Sequence, residues 1–207
     1  MADKLVSLVK SGNPKGFHDA VRRRLENDDD LSMEAATFSE LTLTGFDFSD
    51  IDMTHCAFES CTLSECQFVD TTLEGAFFDG VTLMHCHFEE GNLDGWALDA
   101  STLGKCSFEN VDLSNNEWTN SRLNDTTLDA VQADTWWMER VTFKGGRWRE
   151  VSIDGGAWSH VTFRDLSLQD FEIGDLDITH CYYVDAAIHG AEWPEGFIEK
   201  SGRRKRL

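Results

Sequence analysis

Residues 56–115, written in fives, read CAFES CTLSE CQFVD TTLEG AFFDG VTLMH CHFEE GNLDG WALDA STLGK CSFEN VDLSN. The third residue of every five is Phe or Leu. On the N-terminal side Phe38, Leu43, Phe48 and Met53 hold the same register. Trp118, Leu123, Leu128, Ala133, Met138, Phe143, Trp148, Ile153, Trp158 and Phe163 follow the stretch, and the series runs on to Ile188 and Trp193 without an insertion and without a charged or small polar residue. At a hydrophobic content of 41% chance does not produce this. An α-helix repeats every 3.6 residues and a strand every 2, so neither holds such a stripe on one face over this length. If each five forms one side of a square, four sides close a turn and every central side chain points at the axis. The chain then encodes about eight turns.

Columns taken one such turn apart are uniform. One is Leu43, Leu63, Leu83, Leu103, Leu123, Phe143, Phe163 and Tyr183; the next is Phe48, Phe68, Phe88, Phe108, Leu128, Trp148, Leu168 and Ile188. Like stacks on like, as coils at the strand spacing of ~4.8 Å require, and the rod is roughly 38 Å long. Cys56, Cys61, Cys66, Cys86, Cys106 and Cys181 all stand two residues before a central one, at a site otherwise held by Ala, Val and Gly. Cys66, Cys86 and Cys106 share a column within disulfide reach of one another. Their position reads as core filling, with free thiols in a reducing compartment. Residues 116–138 are the least regular, with Asn116 at the small inward site, Ala133 at a central site and Trp136 beside Trp137. Large Trp136 compensating for small Ala133 is the packing expected there.

Units such as CTLSE, GNLDG, CSFEN and VDLSN resemble the pentapeptide-repeat family, whose pattern is a small residue, a variable one, a central Leu or Phe and two polar ones; the resemblance covers residues 36–195. It implies an all-β fold, a right-handed quadrilateral β-helix. The domain reading is a helical cap over 1–33, the repeat body over 34–195, and a C-terminal segment with a basic tail over 196–207. The cap follows from Asn13 and Pro14, an N-cap and first-turn signal opening a helix through Phe17, Val21 and Leu25. Pro194 ends the last coil, Phe197 and Ile198 cover it, and Gly202–Leu207 (GRRKRL) is read as a solvated tail.

The net charge of −20 excludes a general DNA-coating protein, since phosphate would repel it. Residues 31–138 hold 20 acids against only Lys105 and Arg122, whereas residues 1–30 are neutral and 139–207 sum to −2. The acids fall at outward sites: Glu74, Asp94 and Asp134 in one file, Asp50, Asp70 and Glu90 in another, beside Glu89, Glu109 and Asp129. Such rows on a stiff rod offer a basic protein surface the charge pattern of duplex DNA. By the resemblance, some family members are DNA mimics that bind DNA gyrase or topoisomerase IV and confer resistance to topoisomerase poisons. The branch with projecting loops is not matched, because the units here carry no insertion. Loop-free members dimerise through a C-terminal apolar segment, and Trp193, Phe197 and Ile198 offer a short one, implying a homodimer through that end. Phe77 and Trp137 share an outward column and are candidate contact aromatics.

The rival class is a protein–protein scaffold or adaptor using the N-terminal helix, Trp137, or the later coils with Arg140, Lys144, Arg147 and Arg149. No catalytic, cofactor-binding or metal-binding motif is present, and a convex rod offers little concavity for chemistry. His85 and His87 beside Cys86, and His160 with His180, are read as scattered surface histidines. The file Thr42, Thr62, Thr82, Thr102, Thr142 and Thr162, broken by Arg122, is read as cross-coil sheet pairing. No apolar run reaches the roughly 20 residues of a membrane span, and the N-terminus lacks a secretory pattern, so the reading is cytoplasmic. The register is testable: Leu83→Glu buries an unpaired charge and should unfold several coils, whereas Glu89→Lys should leave folding nearly unchanged. Equal shifts of the thermal midpoint would refute it.

Overall fold

The structure, a computed structural model, describes residues 4–189, 193 and 195–200. They form two short helices, α1 (Lys4–Lys10) and α2 (Pro14–Asn27), and a parallel β-solenoid of about eight turns. Each side of the square is a short strand centred on an inward residue, as in Thr62–Ser64 and Gln67–Val69. The next side begins after a corner residue with positive φ, such as Glu65 (55°), Asp70 (52°), Gly75 (60°) and Gly80 (61°). A left-handed residue costs an ordinary side chain about 1–2 kcal/mol. Gly, Asn or Asp therefore fills many of these corners, and the run Asn110, Asn115, Asn120 and Asp125 takes four in succession.

Pairing repeats once per turn. Leu63 pairs with Leu83, Leu83 with Leu103, Phe68 with Phe88 and Phe88 with Phe108, all in parallel strands. Rings in the Phe48 column lie almost flat on one another: Phe68 to Phe88 is 4.6 Å at 5°, and Phe88 to Phe108 is 4.6 Å at 4°. Every central residue from Phe38 to Leu168 is buried. At roughly 1.5–3 kcal/mol each, these columns supply the main opposition to chain entropy.

Burial weakens at the C-terminal end, where Ile173, Ile178, Tyr183, Ile188 and Trp193 are only half-buried because no further full coil covers them. A partial substitute is built instead. Phe197–Glu199 pairs with the strand Cys181–Val184 out of the regular register, Cys181 opposite Phe197, and so adds a last rung. Trp193 stacks on Tyr183 at 4.4 Å, and Phe197 packs against Phe163 and Trp193. Phe197 thus covers the last turn as expected, but Ile198 stays 52% exposed. Pro194 and the GRRKRL tail lie outside the described residues.

At the other end α2 acts as a lid. Asn13 accepts the backbone N–H of Gly16, and Phe17 packs on Phe46 and Phe48 at 5.5 and 5.4 Å. The backbone N–H of Asp47 donates to His18 Nε2 at 3.0 Å, so a side chain from the lid satisfies an edge donor of the first coil. Leu25, placed by its spacing on the packing face, is 54% exposed. Leu5 and Val9 of α1, a helix that the cap signal at Asn13 does not reveal, are fully buried.

The small inward sites follow a chemical rule as well as a steric one. Cys56 Sγ donates to the Met33 carbonyl at 2.9 Å, and Cys61, Cys86, Cys106 and Cys181 each reach the carbonyl of the central residue 23 positions back. Thr71 and Ser101 do the same with their hydroxyls. At these positions thiol or hydroxyl ties one coil to the one before, whereas Thr126 Oγ1, at the same kind of site, has no partner among the described residues. In the irregular segment Trp136 and Ala133 are both buried, and the strands lengthen, with Thr127–Glu139 and Arg147–Ser159 each running continuously around two corners. Earlier coils make only single bridges on that side, such as Asp52 with Thr72 and Asn92 with Asp112. Gly156 lies under Trp136 at φ +100°, where a Cβ would collide with the Trp136 carbonyl oxygen, so only glycine fits.

All six cysteines are free and buried. Burial pushes the Cys56 thiol up to about 11 and raises those of Cys61 and Cys181. Buried in this way, the thiols are out of reach of reagents in solvent. Titration with an aromatic disulfide reagent at pH 8 should detect almost no thiol in the native protein and all six after unfolding. Rapid native reaction of two or more would contradict this packing.

Candidate functional site

With four sides per turn, the nine candidate carboxylates gather along one edge of the square. Glu89, Glu109 and Asp129 occupy the Phe48 side, in register on successive strands. Glu74, Asp94 and Asp134 lie on the adjoining Met53 side, and Asp50, Asp70 and Glu90 are the left-handed corner residues between the two. None is buried. The physical cause is the corner geometry: the residue following a central one points outward, and the next one turns the chain and stands at the edge.

The edge is not uniform. Arg149 of the next coil pairs with Asp129 at 2.7 Å and with Glu150 at 3.1 Å, and the Asp129 carboxylate holds the guanidinium above its usual range. Asp129 is therefore charge-balanced within the fold, and the acidic row stops there. Asp94 accepts a hydrogen bond from Asn115 Nδ2 at 2.7 Å, and Asn92 Nδ2 reaches Glu74 at 3.4 Å. Asp50, Asp70 and Glu90 make no ion pair among the described residues. Glu89 meets His87 Nε2 at 3.0 Å, so His87 is more than a scattered surface histidine.

Phe77 and Trp137 are placed elsewhere. They stand on the Phe38 side, opposite the Phe48 side, in the outward file Phe77, Ala97, Glu117, Trp137, Ala157. Their exposures are 41% and 50%. Shallow hollows of about 210 and 220 Å³ flank them, lined by Trp137 with Glu117 and Ala157, and by Phe77 with Ala97 and Asp99. The neighbouring Asp99 carboxyl is held below its ordinary range by hydrogen bonds from Thr119 and Asn120. Carboxylate edge and aromatic file are thus two separate surfaces. No helix of the described residues is long and apolar enough to cross a membrane.

A known structure shares this architecture. A trypsin-treated variant of QnrB1, described as a plasmid-mediated fluoroquinolone resistance protein, superimposes with a TM-score of 0.55 at 12% identity, covering 83% of this chain and 92% of that chain. Full-length QnrB1 gives 0.36 at 14% identity over 80% and 94% of the two chains. HetL, a pentapeptide-repeat protein involved in heterocyst differentiation regulation in the cyanobacterium Nostoc sp. strain PCC 7120, gives 0.21 at 11% identity over 78% and 92%. No curated protein sequence matches. The family model described as Pentapeptide repeats matches residues 61–95. That match lies in the middle of a five-residue register whose central residues are buried from Phe38 to Leu168, so residues 61–95 are similar to pentapeptide repeats and the rest of the solenoid continues their register.

Proposed function

We propose that the protein is a non-enzymatic DNA mimic of the cytoplasm whose carboxylate edge occupies the DNA-binding groove of a basic protein, with DNA gyrase or topoisomerase IV the leading partner. The observation that carries this reading is the charge density of the edge. With Asp47, Asp52 and Asp112 added to the nine, the Phe48 side, the corner and the Met53 side carry 12 carboxylates on five rungs, which at a spacing of ~4.8 Å is one per ~2 Å of rod before Arg149 offsets Asp129, against ~1.7 Å for duplex DNA. Likeness in fold to a fluoroquinolone resistance protein supports the choice of partner. The half-buried aromatic end around Tyr183, Trp193 and Phe197 supports a homodimer through the C-terminal end.

In this mechanism the protein inhibits the enzyme by competing with DNA, or protects it from poisons that need bound DNA. Supercoiling by gyrase, measured with and without the protein and again with a topoisomerase poison, should be inhibited or poison-resistant. The effect should fall steeply between about 50 and 200 mM salt. Charge reversal of Glu74 with Asp94, which form no ion pair among the described residues, should weaken it at least tenfold. An effect insensitive to salt and to this reversal would exclude mimicry.

The second reading, an adaptor with no topoisomerase role, is favoured by the exposed Phe77 and Trp137. Deleting the N-terminal helix does not separate the two readings, because loss of Phe17 would uncover Phe46 and Phe48. Phe77→Ala with Trp137→Ala does separate them. The double variant should keep its gyrase effect if the carboxylate edge carries binding, and an adaptor using this file would lose its partner.

A further inference from the structure

We propose that His87, Glu89 and Glu109 form a surface site for a divalent transition-metal ion of the zinc type. The donor set is one imidazole nitrogen and two carboxylates, contributed by neighbouring rungs, and one donor atom from each lies within 4.8 Å of the others. Strand register puts Glu89 directly against Glu109 and His87 against Ser107. Like charges directly opposite one another in a sheet repel. Next along the same file, Asp129 has its charge answered by Arg149, but Glu109 has no ion-pair partner among the described residues and Glu89 has only His87. A cation at this point removes the repulsion that the fold leaves in place.

The imidazole is set for that role. Its Nδ1 lies 2.6 Å from Ser107 Oγ, and its Nε2 is aimed at the carboxylates, 3.0 Å from Glu89 Oε2. An outer hydrogen bond on one ring nitrogen while the other faces the ion is how protein histidines are oriented as ligands. The side chains of His87 and Glu89 are 25% and 37% exposed, so the site is partly shielded and still open to solvent, leaving coordination positions for water. Bond lengths of about 2.0–2.2 Å require the two carboxylates to swing inward, which their solvent-facing ends permit. A nitrogen ligand selects zinc-like ions over magnesium.

This site does not depend on the proposed partner, and zinc alone tests it. Calorimetric titration of the untagged full-length chain with ZnCl₂ should show one ion bound per chain. His87→Ala and Glu109→Gln should each weaken binding at least tenfold, as should Ser107→Ala through loss of orientation. The double variant Glu74→Gln, Asp94→Gln should bind as the parent does. Thermal midpoints measured without metal should stay within a few degrees for all of these surface positions, which separates lost binding from lost folding. Zinc affinity unchanged by His87→Ala, magnesium binding as tightly as zinc, or no saturable binding would each overturn the assignment.

Discussion

The whole molecule depends on one interaction, the vertical packing of each central side chain on its equivalent one turn away. Rings such as Phe68, Phe88 and Phe108 are 4.6 Å apart and nearly parallel, close to the distance at which neighbouring strands hydrogen-bond. Side-chain stacking and backbone pairing therefore select the same rise per turn, and each reinforces the other. Because every side of the square spends its central and small residues on the interior, the remaining three positions of each five face outward or turn a corner. The acidic edge is a consequence of that division, not an addition to it.

A solenoid built this way has two ends where the interaction lacks a partner, and the chain resolves them differently. The N-terminal end is closed by Phe17 and by the bond from Asp47 to His18, a lid combining apolar cover with satisfaction of an edge donor. The C-terminal end is closed by a strand that pairs out of step, Phe197–Glu199, and remains half-open around Ile178 and Ile188. The interior also tolerates departures from uniformity where aromatic volume compensates. Trp96, Trp118 and Trp136 meet edge to face at 5.6 and 4.8 Å around Asn116, whose buried amide has no hydrogen-bond partner among the described residues. Quadrupole attraction between rings holds this region, against the penalty of an unsatisfied polar group.

The surfaces separate by side. The edge shared by the Phe48 and Met53 sides is acidic up to Arg149, and the Phe38 side carries the two exposed aromatics. The Leu43 side carries the threonine file, paired rung to rung as Thr62 with Thr82 and Thr82 with Thr102. A rigid rod keeps these surfaces at fixed angles to one another, so a partner reading one of them need not touch the others.

The five-residue register, the inward columns, the burial of the cysteines and the file shared by Phe77 and Trp137 were all legible in the sequence, because a strict period fixes which side chains can meet and a turn of constant length fixes which are neighbours. The helix start at Asn13 was legible from its local capping signal. Other features depend on contacts between chemically unlike residues, which no period announces. Arg149 neutralises Asp129, Ser107 orients His87 beside Glu89, and Phe197 reaches back to Cys181 out of register. Charge and its sign along the rod came from residue identity alone. Which carboxylates stay unpaired was decided only when folding set side-chain ends within hydrogen-bond distance, because electrostatic pairing acts over a few ångströms and composition carries no distances.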